Sequence, residues 1–430
     1  SRLKSTTRFL ILVGVLAGIV IGYGAAVYST RSVPGVDTTP GADADTPSPG
    51  PLADPLNERA TPEEYQERLM ALGYSSGTEQ APEVSGVTIN VPEKTYGTYT
   101  LYASAHAPTA HLIKMDGEIV HKWAYSFHML WPDVDPGDQN VYYWRRAHLF
   151  ENGDILAILE PHGIFKLDKD SKLLWENRCG AHHDLYVADN GHIFVLTRQK
   201  VMVDLGSGDR PVLEDLVTEL DADGREIRSV SIMKALQNTA YASLLKDAPD
   251  HWDIFHTNSL KLIQPGVDSR IPAFKAGRVL LSIRELGTVA VLDLDSERIV
   301  WATKGQWFQQ HEATLLDTGR LMLFDNKGNR GRSKVIEFDP ATQEIAWSYG
   351  MKESEPLYSE FCGIAHRLPN GNTLINEAMP GRVIEVTPDS EIVWEFINPN
   401  RLESNPDVIA TMMDVRRLPQ SFTPQWLSDR

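Results

Sequence analysis

The chain has 430 residues, 42% of them hydrophobic, and a formal net charge of −17 at pH 7. Its length and apolar content are enough for a sizeable core, and its negative charge repels nucleic acid, so we expect no nucleic-acid partner. The two cysteines, Cys179 and Cys362, can form neither a disulfide framework nor a CxxC metal site.

The N-terminal segment carries a long apolar run. Residues 9–28 include no charged residue, and about 20 such residues suffice for a helix to cross a bilayer. Arg2, Lys4 and Arg8 precede the run, and basic residues stay on the cytoplasmic side. We therefore predict a cytoplasmic tail (1–8), a single-pass transmembrane helix in the inner membrane, and a body on its periplasmic or extracellular side. A cleaved signal peptide is the alternative, which the length of the run disfavours.

Three glycines, Gly14, Gly18 and Gly22, recur at every fourth position of this predicted helix. They lie on one helical face, where small residues let another helix approach closely. This face could bind a second copy of the chain or a subunit of a membrane complex. Alternatively, glycine is simply common in membrane spans.

The residues after the span favour a linker and then a short helix. Residues 29–60 are rich in Pro, Gly, Asp and Thr and nearly lack large apolar side chains, so they cannot bury enough surface to fold alone. Thr61 then precedes Pro62 and Glu64, which is typical of a helix start with proline in its first turn. We predict a short helix and a lead-in over 61–95.

Beyond residue 95 a unit of two strands around an acidic turn recurs, and its second strand ends in tryptophan. A sixth unit at 217–232 has Arg228 near the tryptophan position and precedes an insertion at 234–252. Six units of about 40 to 50 residues predict a six-bladed β-propeller over 96–398, with the tryptophans packed between blades. We expect a strand in 399–430 to close the ring. The five plain copies are LIKMDGEIVHKW (112–123), GIFKLDKDSKLLW (163–175), GTVAVLDLDSERIVW (287–301), KVIEFDPATQEIAW (334–347) and RVIEVTPDSEIVW (382–394).

Histidines recur near the start of the innermost strands, which line the channel of a propeller. A ring of imidazoles could bind a transition metal or an oxyanion. Arg284 favours the anion, because a guanidinium repels a cation and binds sulfate or phosphate oxygens. Asn258 adds a neutral donor on the same face as His256. We therefore expect an anion site without a metal or cofactor. The histidines are His148, His183, His256, His311 and His366.

Four segments resemble the signature segments of bacterial aryl sulfotransferases, the kind that does not use the nucleotide donor PAPS. The opening blade, 99–123, is also similar to that family, and the resemblance spans about 96–398. The four segments are HHD (182–184), HTNS (256–259), SIR (282–284) and QHEATLLDTGRLMLFDN (310–326).

This resemblance implies an enzyme whose His311 takes a sulfuryl group from an aryl sulfate, holds it as sulfohistidine and passes it to a phenolic acceptor. It implies that His256, Asn258 and Arg284 bind the sulfuryl oxygens. His183 completes the site and assists proton transfer, with His182 as its near rival. Two further candidates for substrate binding are His148 and His366.

Two other functions stay open at the level of the sequence. The propeller could be a non-catalytic scaffold or accessory subunit of a membrane complex, or the histidines could support a metal-dependent hydrolase or lyase. The stretch between the linker and the first blade is too short for the N-terminal β domain of the larger sulfotransferases. We therefore expect a smaller, membrane-anchored branch of that family.

Overall fold

The computed structural model describes residues 76–133, 143–204, 206, 208–267, 269–329 and 331–428. The predicted cytoplasmic tail, membrane span with its glycine face, linker and short helix lie outside these residues. Within them, no helix has the length and the apolar character that crossing a bilayer requires.

Six antiparallel sheets follow one another around a central axis, which confirms the predicted six-bladed β-propeller. We number the blades I to VI in chain order and give the strands of each from the axis outwards. Blade I consists of Met412–Arg417, Tyr99–Ser104, Thr109–Lys114 and Ile119–Ala124; blade II of Arg146–Leu149, Ile155–Leu159, Gly163–Leu167 and Leu173–Asn177; and blade III of Ala181–Val187, Ile193–Asp204, Asp209–Leu220 and Glu226–Ser231. Blade IV consists of Thr257–Leu262, Val279–Ile283, Thr288–Asp293 and Arg298–Lys304; blade V of His311–Leu315, Leu321–Asn329, Arg332–Phe338 and Ile345–Tyr349; and blade VI of Ile364–Arg367, Thr373–Glu377, Arg382–Val386, Ile392–Ile397 and Gly86–Asn90.

Segments from both ends of the described chain complete blades I and VI. Met412–Arg417 pairs with Tyr99–Ser104 and forms the innermost strand of blade I. Gly86–Asn90 pairs with the outer strand of blade VI as a fifth strand. A hairpin of Arg401–Leu402 and Asn405–Ile409 lies between the two blades. Backbone hydrogen bonds between distant segments therefore close the ring.

The helices of the described residues are short. Ile232–Gln237 and the 3₁₀-helix Ala242–Asp247 lie between blades III and IV, around the insertion expected at 234–252. The side chain of Ser231 caps the first of these by accepting a hydrogen bond from the backbone N–H of Lys234. The other two are Phe127–Leu130 and Gln425–Ser428.

The repeated tryptophans connect neighbouring blades. Trp123, Trp347 and Trp394 each donate an indole N–H to a backbone carbonyl of the next blade around the ring. These bonds agree with the predicted packing role, because the large ring fills the space between two sheets while its polar atom finds a partner. The acceptors are Gly153, Pro388 and Met115, at 3.0, 2.8 and 2.8 Å.

Candidate functional site

The innermost strands are irregular where they enter the channel. In blades I, III, IV and V the register with the second strand shifts near the start of the inner strand. His183, His256 and Glu312 have φ values of 52°, 45° and 51°, which residues other than glycine rarely adopt. A regular strand alternates its side chains between two faces, whereas a bulge re-aims them. Consecutive residues can therefore both face the channel, and they form two layers.

The lower layer is a network of ion pairs that we call the charged hub. Arg146 of blade II lies 2.9, 2.8 and 3.0 Å from carboxylate oxygens of Asp184, Glu312 and Asp414, which belong to blades III, V and I. Lys261 of blade IV binds two of the same carboxylates at 2.6 and 2.9 Å. With His366 of blade VI and Arg416 of blade I, the hub connects all six blades.

The upper layer holds the residues that directly precede hub residues, and we call it the histidine ring. Four hub side chains meet at one point on the axis, namely those of Arg146, Asp184, Glu312 and Asp414. The residue that precedes each of them in its strand therefore lies in the next layer along the axis. His256 joins this layer, since its ring packs edge-on against His183 with centroids 4.5 Å apart. No member is more than 6% exposed. The members are Met413, Arg145, His183, His256 and His311.

The hydrogen bonds of His311 determine which ring nitrogen carries the hydrogen. Its Nδ1 lies 2.7 Å from Asn326 Oδ1 and 3.1 Å from the carbonyl oxygen of Gln309. The Asn326 amide cannot be reversed, because its Nδ2 donates to the carbonyls of Ser359 and Cys362. Both neighbours of Nδ1 are therefore acceptors. Nδ1 carries the hydrogen, and Nε2 of the neutral ring keeps its lone pair.

The surroundings of His311 also keep its ring neutral. Burial lowers the pKa of His311 well below 6.5, and the positive charge of Arg284 lowers it further. Burial likewise lowers the pKa of His183 well below 6.5, with Arg145 adding to the effect. At neutral pH both imidazoles are therefore uncharged, and positive charge at the site comes from arginines.

His256 forms a hydrogen-bonded pair with Asp253, which lies three residues before it in the sequence. Its Nδ1 lies 2.7 Å from Asp253 Oδ2, and both residues are about 1% exposed. The carboxylate accepts the Nδ1 hydrogen and so orients the ring. Burial lowers the pKa of His256, while Asp253 acts in the opposite direction.

The structure distinguishes His183 from its sequence neighbour His182. His183 packs against His256 in the channel, whereas His182 Nε2 points into blade III, 3.3 Å from the carbonyl of Thr197 and 3.5 Å from Asp215. The two Nδ1 atoms lie 2.9 Å apart. His183 therefore faces the site, and His182 contacts it from within blade III.

Glu160, His182 and His183 lie close enough together that one metal ion could bind all three. Two guanidinium groups compete for the same carboxylate, since Arg145 Nε lies 3.2 Å and Arg198 Nη2 3.8 Å from Glu160. Two positive charges at this position oppose a cation and favour an anion.

Arg284 and Asn258 lie beside the catalytic candidates, on blade IV. Arg284 is 3% exposed and its Nη1 donates to Glu285. Asn258 Nδ2 donates to the carbonyl of Gln310 at 2.8 Å, so the amide holds the backbone next to His311. The structure thus gives this donor of Asn258 a supporting contact, where the sequence predicted a contact with substrate.

The structure does not bring His148 and His366 into the histidine ring. Both stand five residues before a turn glycine, whereas His183 and His311 stand eight residues before theirs. His366 belongs to the hub, with Nε2 2.9 Å from Glu312. His148 packs against Phe150, and burial lowers the pKa of His148 to about 4. The expected single register of five histidines is therefore wrong, because it mixes two layers of one strand.

Sequence reasoning missed four residues of the site. Counting back from the turns would have found one of them, since Arg145 stands eight residues before Gly153, as His311 does before Gly319. The others have no such signal, because they reach the site from a second strand or from an irregular connection. The four are Arg145, Glu160, Asp253 and Asn326.

The solved structures similar to the chain have low sequence identity to it. A protein of unknown function from Bacteroides caccae is 12% identical, covering 73% of this chain and 97% of its own, with a TM-score of 0.47. A streptogramin B lyase is 14% identical, covering 75% and 87%, with a TM-score of 0.42. A virginiamycin B lyase from Staphylococcus aureus is 9% identical, covering 65% and 84%, with a TM-score of 0.38. Such values say nothing about function, and a comparison with curated proteins finds no match.

The comparison with protein families gives a specific result. Residues 147–399 match the family described as Arylsulfotransferase (ASST). The match covers more than half of the chain and includes all four segments on which the sequence resemblance rests. The chain therefore belongs to the arylsulfotransferase family.

Proposed function

We propose that this protein transfers a sulfuryl group from an aryl sulfate to a phenolic acceptor, through a sulfohistidine at His311. The observation that carries the proposal is the state of this imidazole, which is neutral, has its hydrogen on Nδ1 and keeps a lone pair on Nε2. A neutral imidazole in this state is a competent nucleophile. Membership of the arylsulfotransferase family supports the same chemistry.

In the first half-reaction, Nε2 of His311 attacks the sulfur of the aryl sulfate. The N–S bond forms while the bond from sulfur to the aryl oxygen breaks, and its electron pair leaves with the phenolate. The Nδ1 hydrogen bond to Asn326 stabilises the positive charge that develops on the ring. Arg284 provides the fixed charge for the sulfuryl oxygens, and His256, oriented by Asp253, lies beside it.

In the second half-reaction, the oxygen of a phenolic acceptor attacks the same sulfur. The N–S bond breaks and its electron pair returns to Nε2, which restores the neutral ring. The acceptor loses its proton to His183; the neutral state of this imidazole and its packing against His256 support this role. Because one product leaves before the second substrate reacts, the kinetics should be ping-pong.

The test is phenol-dependent release of nitrophenol from 4-nitrophenyl sulfate. Replacing His311 with alanine should lower this activity by at least about a thousandfold, because alanine has no nucleophilic atom that could attack the sulfur. The far-ultraviolet circular dichroism should stay unchanged. His192→Gln is the matched control and should keep full activity, since His192 is partly exposed and bonds Glu219 of its own blade.

Full activity in the His311→Ala variant would contradict the proposal. Purification of the native protein with a stoichiometric membrane partner, and with no turnover of aryl sulfates, would support the scaffold instead. Loss of activity to a chelator would point to the metal-dependent alternative.

We also propose that the apolar run at 9–28 anchors the propeller to the outer face of the inner membrane. The uncharged sequence of the run and the basic residues before it support this proposal. The full chain should stay in the membrane fraction after alkaline carbonate extraction, and a chain beginning at residue 76 should be released. Release of both would contradict the anchor.

A further inference from the structure

Arg145 takes, in blade II, the position that His311 takes in blade V. Counted around the ring, two blades separate II from V in either direction, so the two blades lie on opposite sides of the axis. In the layer below, Arg146 and Glu312, the next residues of the same two strands, meet across the channel at 2.8 Å. Arg145 and His311 therefore face each other across the histidine ring.

The hydrogen bonds of Arg145 leave its charge available to a ligand. Its Nε lies 3.2 Å from Glu160, a carboxylate that it shares with Arg198. Its Nη1 meets Cys362 Sγ and Met413 Sδ at 3.2 and 3.3 Å. Sulfur is a weak acceptor, whereas a guanidinium bonds most strongly to anionic oxygens. The acceptors around Nη1 are thus weaker than those that a ligand oxygen would offer.

The walls of the channel differ in polarity. On the side of blades III to V lie the imidazoles of His183, His256 and His311 with Arg284. On the other side, Ala105, Tyr143 and Met413 form a buried apolar cluster beside Arg145, and Phe361, Cys362, Ala378 and Met379 form a second one. An aryl sulfate has the same division, because its sulfuryl group is charged and its ring is apolar.

We propose that Arg145 binds the aryl oxygen of the substrate and stabilises it as a phenolate, a role that rests on the proposed sulfuryl transfer. Displacement at sulfur places the nucleophile and the leaving oxygen on opposite sides of the sulfur. With His311 attacking from blade V, the leaving oxygen points to blade II, where Arg145 lies. As the S–O bond breaks, its electron pair moves to this oxygen, and the guanidinium offsets the new negative charge. In the second half-reaction, Arg145 holds the acceptor oxygen in the same position while its proton leaves.

The dependence of rate on the leaving group tests this role. Arg145→Met should lower kcat/KM for 4-nitrophenyl sulfate by about tenfold and for unsubstituted phenyl sulfate by about a thousandfold, because the poorer leaving group needs more charge stabilisation. Arg145→Lys should recover part of both losses. Arg320→Met, at an exposed arginine, should leave both rates unchanged. Equal losses for the two substrates would overturn the proposal.

A binding measurement separates this proposal from the proposed function. 4-Nitrophenol should titrate at lower pH when bound to the wild-type protein than in solution, and this shift should vanish in Arg145→Met. If the wild type transfers no sulfuryl group, the proposed function fails, and the nitrophenol titration still decides the role of Arg145. If Arg145→Met does not fold, the same titration is made on Arg145→Met combined with Glu160→Gln, which removes the buried carboxylate together with its partner. An unchanged nitrophenol shift in the folded variant would contradict the role.

Discussion

The amide of Asn326 is the nearest hydrogen-bond partner of His311 Nδ1. Asn326 accepts the Nδ1 hydrogen of His311 and is itself held by two backbone carbonyls. The Asn326 side chain is fully buried, and its oxygen is the nearer of the two acceptors around Nδ1. The tautomer of His311 is therefore set by groups that need not touch the substrate.

Replacing Asn326 with leucine should lower kcat by about a hundredfold or more, because the ring loses the nearer of the two acceptors that keep its hydrogen on Nδ1. Asn326→Asp is the matched variant. It keeps an acceptor for Nδ1 and should retain more activity than Asn326→Leu, although it loses the donor to Ser359 and Cys362. Steady-state kinetics with 4-nitrophenyl sulfate and excess phenol would measure both. Equal activity of the leucine and aspartate variants would contradict this account of the tautomer.

At this scale, the sequence predicted the residue types better than their contacts. His183, His256 and His311 do share one layer, and the spacing of His183 and His311 from their turn glycines is readable from the sequence. Asp253 could not be assigned, because a contact three residues from His256 depends on an irregular backbone. Asn258 was expected to contact the substrate; its Nδ2 donates one hydrogen bond to the Gln310 carbonyl, and the contact with substrate stays a prediction.

The innermost strands are held in place by the charged hub. Burial by itself raises the pKa of Glu312. The positive charges of Arg146 and Lys261 outweigh this effect and hold that pKa well below its ordinary value. Since Glu312 follows His311 directly, the ion pairs that fix this carboxylate also fix the strand that carries His311. The hub was not predicted, because its members come from six distant segments and none forms a motif by itself.

Removing the central cation should destabilise the fold strongly. Arg146→Met leaves three carboxylates in the channel without their shared partner, which should lower the free energy of unfolding by about 3 to 5 kcal/mol. Arg320→Met is the control, because Arg320 is 47% exposed and binds one carboxylate. The control should cost less than about 1 kcal/mol. Urea unfolding followed by tryptophan fluorescence would measure both, and a similar small loss in the two variants would show that the hub is dispensable.

The whole propeller was readable from its repeats, including the blade that lacks the tryptophan. Arg228 stands in that place in blade III, and its Nη1 donates to the carbonyl of Leu294 in blade IV at 3.2 Å. It thereby makes the contact with the next blade that an indole N–H makes elsewhere. The order of blades follows from the period alone, whereas the two layers of the channel depend on bulges that the period does not encode.

The stability of the whole molecule should depend on pH through its buried histidines. Burial lowers the pKa of His106, His111 and His162 to about 4, and that of His182 to about 3. An unfolded chain takes up these protons near pH 6.5, whereas the folded chain excludes them. The free energy of unfolding should therefore be lost progressively as pH falls below about 6.5.

Three buried carboxyls act against this trend. Burial raises the pKa of Asp215 to about 7 and also raises the pKa values of Asp325 and Glu377, so the stability that these carboxyls contribute weakens as pH rises. Because the histidines with lowered pKa values outnumber these three carboxyls, urea unfolding at about pH 7.5, 6 and 4.5 should give steadily lower stability. Highest stability at the lowest of these pH values would contradict the neutral state of the histidines.

The most direct test of the whole account is to trap the sulfuryl group on the protein. The protein is mixed with 4-nitrophenyl sulfate without an acceptor, and its peptides are analysed by mass spectrometry. We expect the mass of one SO₃ group on the peptide that contains His311, and its loss when phenol is added. Phenol-dependent transfer with no such adduct, or with the adduct on another residue, would contradict the assignment of His311 as the nucleophile.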